Sequence, residues 1–110
     1  MKTVWLSAMV LLFLAGCSRH ESAPAAVNLQ PFERAQAQKQ YAELCAACHG
    51  SHARGAVGPD LTTSRFKYGK SRAAIEKSIL DGRPGGMPAF GSYLKLEEVK
   101  TLADYLLTLQ

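Results

Sequence analysis

The chain has 110 residues and a mass of 11.9 kDa, 47% hydrophobic and 20% charged, which bounds it to one small domain and excludes a multi-domain enzyme or a doubly wound nucleotide-binding fold. Thirteen Lys and Arg against nine Asp and Glu leave +4, an ordinary excess. A nucleic-acid reader would need a clustered basic stripe and a recognition helix, and neither is visible.

Residues 1–17 open with Lys2, run apolar from Val4 to Ala15 and close on Gly16-Cys17. The apolar run is shorter than the ~20 residues a spanning helix needs, and its flanks predict an export signal over 1–16. Residues 17–30 are rich in Ala, Ser and Pro without an apolar period, and predict a flexible tether. From Pro31 onward, Phe32, Ala35, Tyr41, Ala42 and Leu44 sit among polar residues, and the spacing predicts one amphipathic helix over about 32–46. Residues 50–70 carry Gly50, Gly55, Gly58, Pro59 and Gly69 and read as a long loop. Ser71 is the expected N-cap of a helix over about 72–80, with Ile75 and Ile79 on one face and Gly82 just past its end. Pro84-Gly85-Gly86-Met87-Pro88 must be a loop. A last helix is predicted over about 96–109, with Val99, Leu102, Ala103, Leu106 and Leu109 at helical spacing. No stretch alternates at period 2, so the expected class is all-α, with one domain over 31–110.

The chemistry is concentrated in Cys45-Ala46-Ala47-Cys48-His49. Three cysteines exclude a fully paired disulfide framework, and a C-x-x-C-H string reads first as covalent attachment of a c-type haem. Two thiols about one helical turn apart reach two vinyl groups of one porphyrin, and the next residue, His49, offers an imidazole nitrogen as an axial ligand. Three other readings compete. A thioredoxin-like dithiol would want a strand before the pair. A zinc site would recruit Cys45, Cys48, His49 and His52, although structural zinc usually takes ligands from two separated pairs. A structural disulfide would not need the adjacent His. Met87 supports haem, because it is the only methionine beyond the signal and stands between glycines and a proline. A thioether there is a soft, neutral sixth ligand that raises the potential of haem iron.

These motifs together resemble the class I monohaem cytochromes c. Tyr41 to Gly50 looks like the family's first helix ending in its haem motif, and Gly82 to Phe90 resembles its sixth-ligand loop. Gly58-Pro59-Asp60-Leu61 is similar to the loop in which the Pro59 carbonyl would accept a hydrogen bond from the ligand histidine and Leu61 would pack on the porphyrin. Val99 to Leu106 looks like the closing helix that crosses the first. The resemblance implies three to four short helices wrapped around one covalent haem c, held by Cys45 and Cys48, with His49 and Met87 as axial ligands. There are two departures. Ala37 stands where the family often has Gly for a close helix crossing, and Lys95 replaces the usual Ser/Thr cap of the last helix.

Two protein ligands leave no open iron position, so the expected function is single-electron exchange with redox partner proteins rather than catalysis. The alternative is a haem-based sensor, haem-transfer protein or peroxidase-like enzyme in which Met87 is displaced. Seven basic residues between Arg54 and Arg83 face three acidic ones, a balance that steers an acidic protein partner if it has one. His52, His20, Tyr105 and Phe90 read as solvated or core residues, whereas Arg83 and Tyr68 are candidates to reach a haem propionate. Leu14-Ala15-Gly16-Cys17 resembles a bacterial lipobox, which implies lipidation of Cys17 and a periplasmic domain on a membrane anchor. The competing expectation is cleavage after Ala25 and release. The Gly-Arg-Pro-Gly-Gly-Met-Pro loop resembles small cytochromes of denitrifying bacteria that accompany haem-containing nitrite reductase. Cytochromes feeding another periplasmic reductase or an oxidase share the same skeleton.

Overall fold

Four helices form the regular structure of the computed structural model: α1 (Pro31–Leu44), α2 (Ala46–His49), α3 (Arg72–Asp81) and α4 (Leu96–Leu107). The structure describes residues 26–110; the expected signal, the Cys17 lipidation site and the tether up to residue 25 lie outside the described residues. Among the described residues there is no strand, and a single antiparallel bridge joins Arg83 to Met87. The all-α expectation holds.

Helices α1, α3 and α4 start where local chemistry satisfies orphan N–H groups. At α1 the Glu33 carboxylate accepts from the Gln30 N–H at 2.9 Å, and Pro31 occupies a first-turn position that needs no donor. Leu29, within the stretch read as tether, is buried. Ser71 caps α3 as expected, its Oγ accepting from the Ala74 N–H at 3.2 Å. At α4 the Lys95 side chain makes no cap, and the Glu98 carboxylate reaches back to the Lys95 N–H at 2.8 Å instead. The departure at Lys95 is therefore compensated three residues on.

Two boundaries differ from the sequence reading. The first helix breaks at Cys45 (φ −114°) rather than running to Ala46, and α2 continues as a separate turn. The last helix stops at Leu107, because its final turn tightens: the Thr108 hydroxyl donates to the Tyr105 carbonyl at 2.6 Å and the Leu109 N–H to Leu106.

The core lies where α1 and α3 pack on α4. Ala37 and Tyr41 of α1, Ile75 and Ile79 of α3, and Val99, Leu102, Ala103 and Leu106 of α4 are all buried in one cluster. Fully burying a side chain such as Leu102 contributes about 1.5–3 kcal/mol. Ala37 and Ala103 have no exposure, so an alanine, not only a glycine, fits the packed α1 face. Tyr41 and Tyr105 meet edge to face at 6.0 Å across the α1–α4 contact. The Gln40 amide donates to Glu98 at 2.8 Å, and Arg72 pairs with both Glu76 and Asp104, tying α3 to α4.

Candidate cofactor site

The site begins at the break between α1 and α2. The Cys45 N–H closes the last turn of α1 on the Tyr41 carbonyl at 2.9 Å, and the Cys45 carbonyl accepts from both Cys48 N–H and His49 N–H. One helical turn therefore carries both thiols and the histidine. So short a helix leaves its C-terminal carbonyls orphaned, and the following loop takes them. Gly58 N–H donates to Cys48 O at 2.7 Å, Gly55 N–H to His49 O at 2.8 Å, and the Tyr41 hydroxyl to Gly50 O at 2.7 Å. The loop read from its glycines is thus pinned to the residues it follows.

His49 is buried, and its Nδ1 lies 2.8 Å from the Pro59 carbonyl oxygen. A carbonyl only accepts, so Nδ1 carries the proton and Nε2 is the ring nitrogen left to serve as a ligand. Gly58 makes this contact possible: a Cβ there would sit 3.0 Å from His49 Cε1 and 3.1 Å from Nδ1. Asp60 fixes the next turn, its carboxylate accepting from the Thr62 N–H and hydroxyl, each at 2.7 Å. Those two hydrogen bonds hold the Asp60 carboxyl below the usual carboxylate range.

Met87 is placed by a tight return of the chain after α3. Arg83 N–H donates to Met87 O at 3.0 Å, and Gly82, at φ +69°, lies against the Met87 carbonyl. Cys45, Cys48, His49, Pro59, Leu61 and Met87 all line one cavity of about 460 Å³. Its walls include Phe66, Ile75, Ile79, Phe90, Leu102 and Leu106, so they are mainly apolar.

This donor set fits a covalently held haem: two unpaired thiols, an imidazole oriented through its Nδ1 and a thioether border one large apolar space. It fits the rival chemistries poorly. Burial, then the neighbouring Cys48, push the Cys45 thiol up to about 11, whereas reactive C-x-x-C thiols are lowered. No three His, Cys, Asp or Glu side chains among the described residues are placed to hold a metal ion. His52 lines a separate depression with Ser51, Arg54 and Thr62.

The profile of the family described as "Cytochrome C oxidase, cbb3-type, subunit III" matches residues 33–106. The chain belongs to this cytochrome c family. The cytochrome is 39% identical over 90 residues to the cbb3-type cytochrome c oxidase subunit CcoP of Azospirillum brasilense, covering 73% of this chain and 30% of that relative. It thus spans about a third of the length of the curated relatives it matches. Cytochrome cL of Methylophaga aminisulfidivorans superposes with a TM-score of 0.68 at 20% identity, over 88% of this chain and 73% of that one, a likeness of fold. The c-type cytochrome NirC superposes with a TM-score of 0.58 at 30% identity, over 73% of this chain and 94% of that one. The fold is that of class I cytochromes c, and the cofactor is covalent haem c.

Sequence reading left three supports of the cytochrome's site unnamed. Gly58 closely approaches His49 and Gly82 contacts Met87, while the Tyr41 hydroxyl holds the carbonyl of Gly50, the residue after His49. Gly58 and Gly82 carried a signal, since each stands where a turn meets a named residue. Tyr41 carried none beyond helical spacing, because its partner is a loop carbonyl.

Proposed function

We propose that this cytochrome relays single electrons between periplasmic redox proteins, with its haem held by Cys45 and Cys48 and its iron ligated by His49 Nε2 and Met87. The observation that carries this reading is the His49 Nδ1–Pro59 hydrogen bond, which commits Nδ1 and leaves Nε2 as the free ring nitrogen of a residue that lines one cavity with Met87 and both thiols. When bound, the haem supplies exchange of one electron between ferric and ferrous iron. Pro59 holds the imidazole in one tautomer and orientation, so the ligand need not reorganise between redox states. Gly82 and Arg83 hold the backbone of Met87, and apolar side chains such as Ile79, Phe90 and Leu102 line the space the macrocycle would fill. A Met87 backbone held in this way opposes displacement of its thioether, which favours a carrier over a sensor or a peroxidase-like enzyme.

The test is spectroscopic. A pyridine haemochrome of the purified protein should report one covalent haem, and the reduced protein a low-spin spectrum. Met87→Ala should lower the midpoint potential and open the iron to carbon monoxide. Rapid carbon monoxide binding by the unaltered reduced protein would instead mark displacement of Met87 as the working chemistry.

For the partner, the sequence relatives are oxidase subunits, and we take a terminal oxidase of the cbb3 type as the first candidate acceptor. A nitrite reductase is the second, on the resemblance of the Met87 loop to those of small cytochromes of denitrifying bacteria. Stopped-flow oxidation of the reduced cytochrome by each enzyme separates the two. The anchor belongs to the same proposal: lipidation of Cys17 after removal of 1–16, with residues 17–30 as tether and the cytochrome domain over 31–110. No helix among the described residues is long and apolar enough to cross a membrane. Cys17→Ser should move the mature protein from the membrane fraction and abolish labelling by a fatty acid; unchanged fractionation would remove the anchor from the proposal.

A further inference from the structure

Three cations line the cavity, Arg65, Lys67 and Arg83, and only Arg83 is half-buried. Its guanidinium carbon lies 4.4 Å from the Tyr68 ring centroid, and its Nε donates to Ser78 Oγ at 3.0 Å. Ser78 is itself fixed, its hydroxyl donating to the Ala74 carbonyl at 2.8 Å. These contacts use Nε and one face of the guanidinium plane. The two terminal nitrogens, with four N–H donors, form no ion pair among the described residues. Asp81, two residues away, is taken by Lys77 at 2.6 Å, and Asp60, the acid on the cavity wall, is taken by Thr62. The same residue's backbone N–H holds the Met87 carbonyl at 3.0 Å.

Haem brings two propionate carboxylates to a mainly apolar cavity, and a carboxylate there requires a charged donor. Resting on the haem reading above, we propose that Arg83 binds a haem propionate, so that one residue ties the cofactor's carboxylate to the turn that presents Met87. Arg83 is a positioning residue for the sixth ligand as well as the counter-charge of the cofactor. Ser78 and Tyr68 pre-orient it, so its donors are aimed before the carboxylate arrives.

The experiment titrates imidazole into the ferric holo-protein, following loss of the Met–iron absorbance band, and measures the midpoint potential alongside. Arg83→Gln should bind imidazole about tenfold more tightly, the loss expected for one charge-assisted hydrogen bond. Its potential should fall, because removal of a positive charge near the iron favours the ferric state. Arg83→Lys should restore the potential but not the imidazole resistance, since an ammonium lacks the planar fork and the stacking. Ser78→Ala keeps the charge and loosens its aim, so imidazole affinity should rise about threefold at unchanged potential. Arg83→Gln with unaltered affinity, or with raised affinity at unaltered potential, overturns the proposal, the second outcome leaving only a loop contact. Should Arg83→Gln fail to mature, unaltered imidazole affinity in Ser78→Ala overturns it. Absence of covalent haem or of the Met–iron band in the unaltered protein defeats the functional reading instead, so the two failures are distinguishable.

Discussion

A side chain on Gly82 would begin 2.6 Å from the carbonyl oxygen of Met87, and 2.8 Å from the Ala89 nitrogen. The end of α3 and the turn carrying Met87 are therefore in backbone-to-backbone contact, with no flexible side chain able to give way. Gly82 also stands at φ +69°, where an L side chain costs about 1–2 kcal/mol. Gly82→Ala should weaken or abolish the Met–iron absorbance band while leaving the covalent haem in place. A pyridine haemochrome beside a visible spectrum checks both halves of that outcome.

His49, the other ligand we propose, depends on Gly58 in a comparable way. Its backbone approaches the edge of the His49 ring so closely that a Cβ would meet Cε1 at 3.0 Å and the Cys48 carbonyl at 3.2 Å. Gly58→Ala should push His49 from the Pro59 carbonyl and cost about 1–3 kcal/mol, the usual range for forced overpacking. Denaturant unfolding of the holo-protein measures the loss, and the His49 Nδ1 proton resonance reports the hydrogen bond directly. Survival of that resonance at its original position would show that the loop yields without disturbing the ligand.

Tyr41 makes stability sensitive to alkaline pH. Burial above all, then the nearby Cys45 and Tyr105, push its hydroxyl up to about 12 from the ordinary 10.0, and the effect of burial persists once Cys45 is an uncharged thioether. The neutral phenol is favoured in the folded chain, so its contribution is complete below pH ~10 and is lost as pH rises from there through about 12. Tyr41→Phe also removes the hydrogen bond to the Gly50 carbonyl, which should cost about 0.5–1.5 kcal/mol at neutral pH. Unfolding curves across this window should be flatter for the variant than for the unaltered protein. Equal slopes would mean that Tyr41 does not titrate within it.

Loss of the cofactor should be the most damaging change. The mainly apolar cavity of about 460 Å³ reaches the side chains of α3 and α4, including Ile75, Ile79, Leu102 and Leu106. At ~25 cal/mol per Å² of apolar surface, a buried macrocycle contributes on the order of several kcal/mol, comparable to the whole stability of a domain this size. A Cys45→Ser/Cys48→Ser chain should show reduced helix content and no cooperative thermal transition by far-ultraviolet circular dichroism. A sharp transition in that chain would mean that α1, α3 and α4 suffice as a core.

Local pattern and long-range contact contributed differently to what was legible. Ile75 with Ile79, and Val99 with Leu102 and Leu106, are recognisable because helical periodicity is a property of neighbouring residues, and those helices formed close to where the spacing put them. The break at Cys45 was not legible, since both its flanks are helix-compatible and the interruption follows from the loop that seizes the end of α2. Ala37 looked like a departure at a crossing, and its complete burial shows that the two helices accommodate a methyl group. Lys95 looked like a lost cap, and Glu98 supplied the acceptor.

The sequence by itself determined the chemistry available: two thiols three positions apart, an imidazole beside them, and one methionine set among glycines and a proline. Those facts survive any folding, because bond lengths and chain order set them. Only the tertiary structure decided which nitrogen of His49 is free, that Met87 shares a cavity with it, and that Arg83 reaches both Ser78 and the Met87 turn. Such pairings close loops of different lengths, and nothing periodic along the chain encodes them. They emerge when α1 and α3 bury their apolar faces on α4 and bring distant backbone within hydrogen-bonding range.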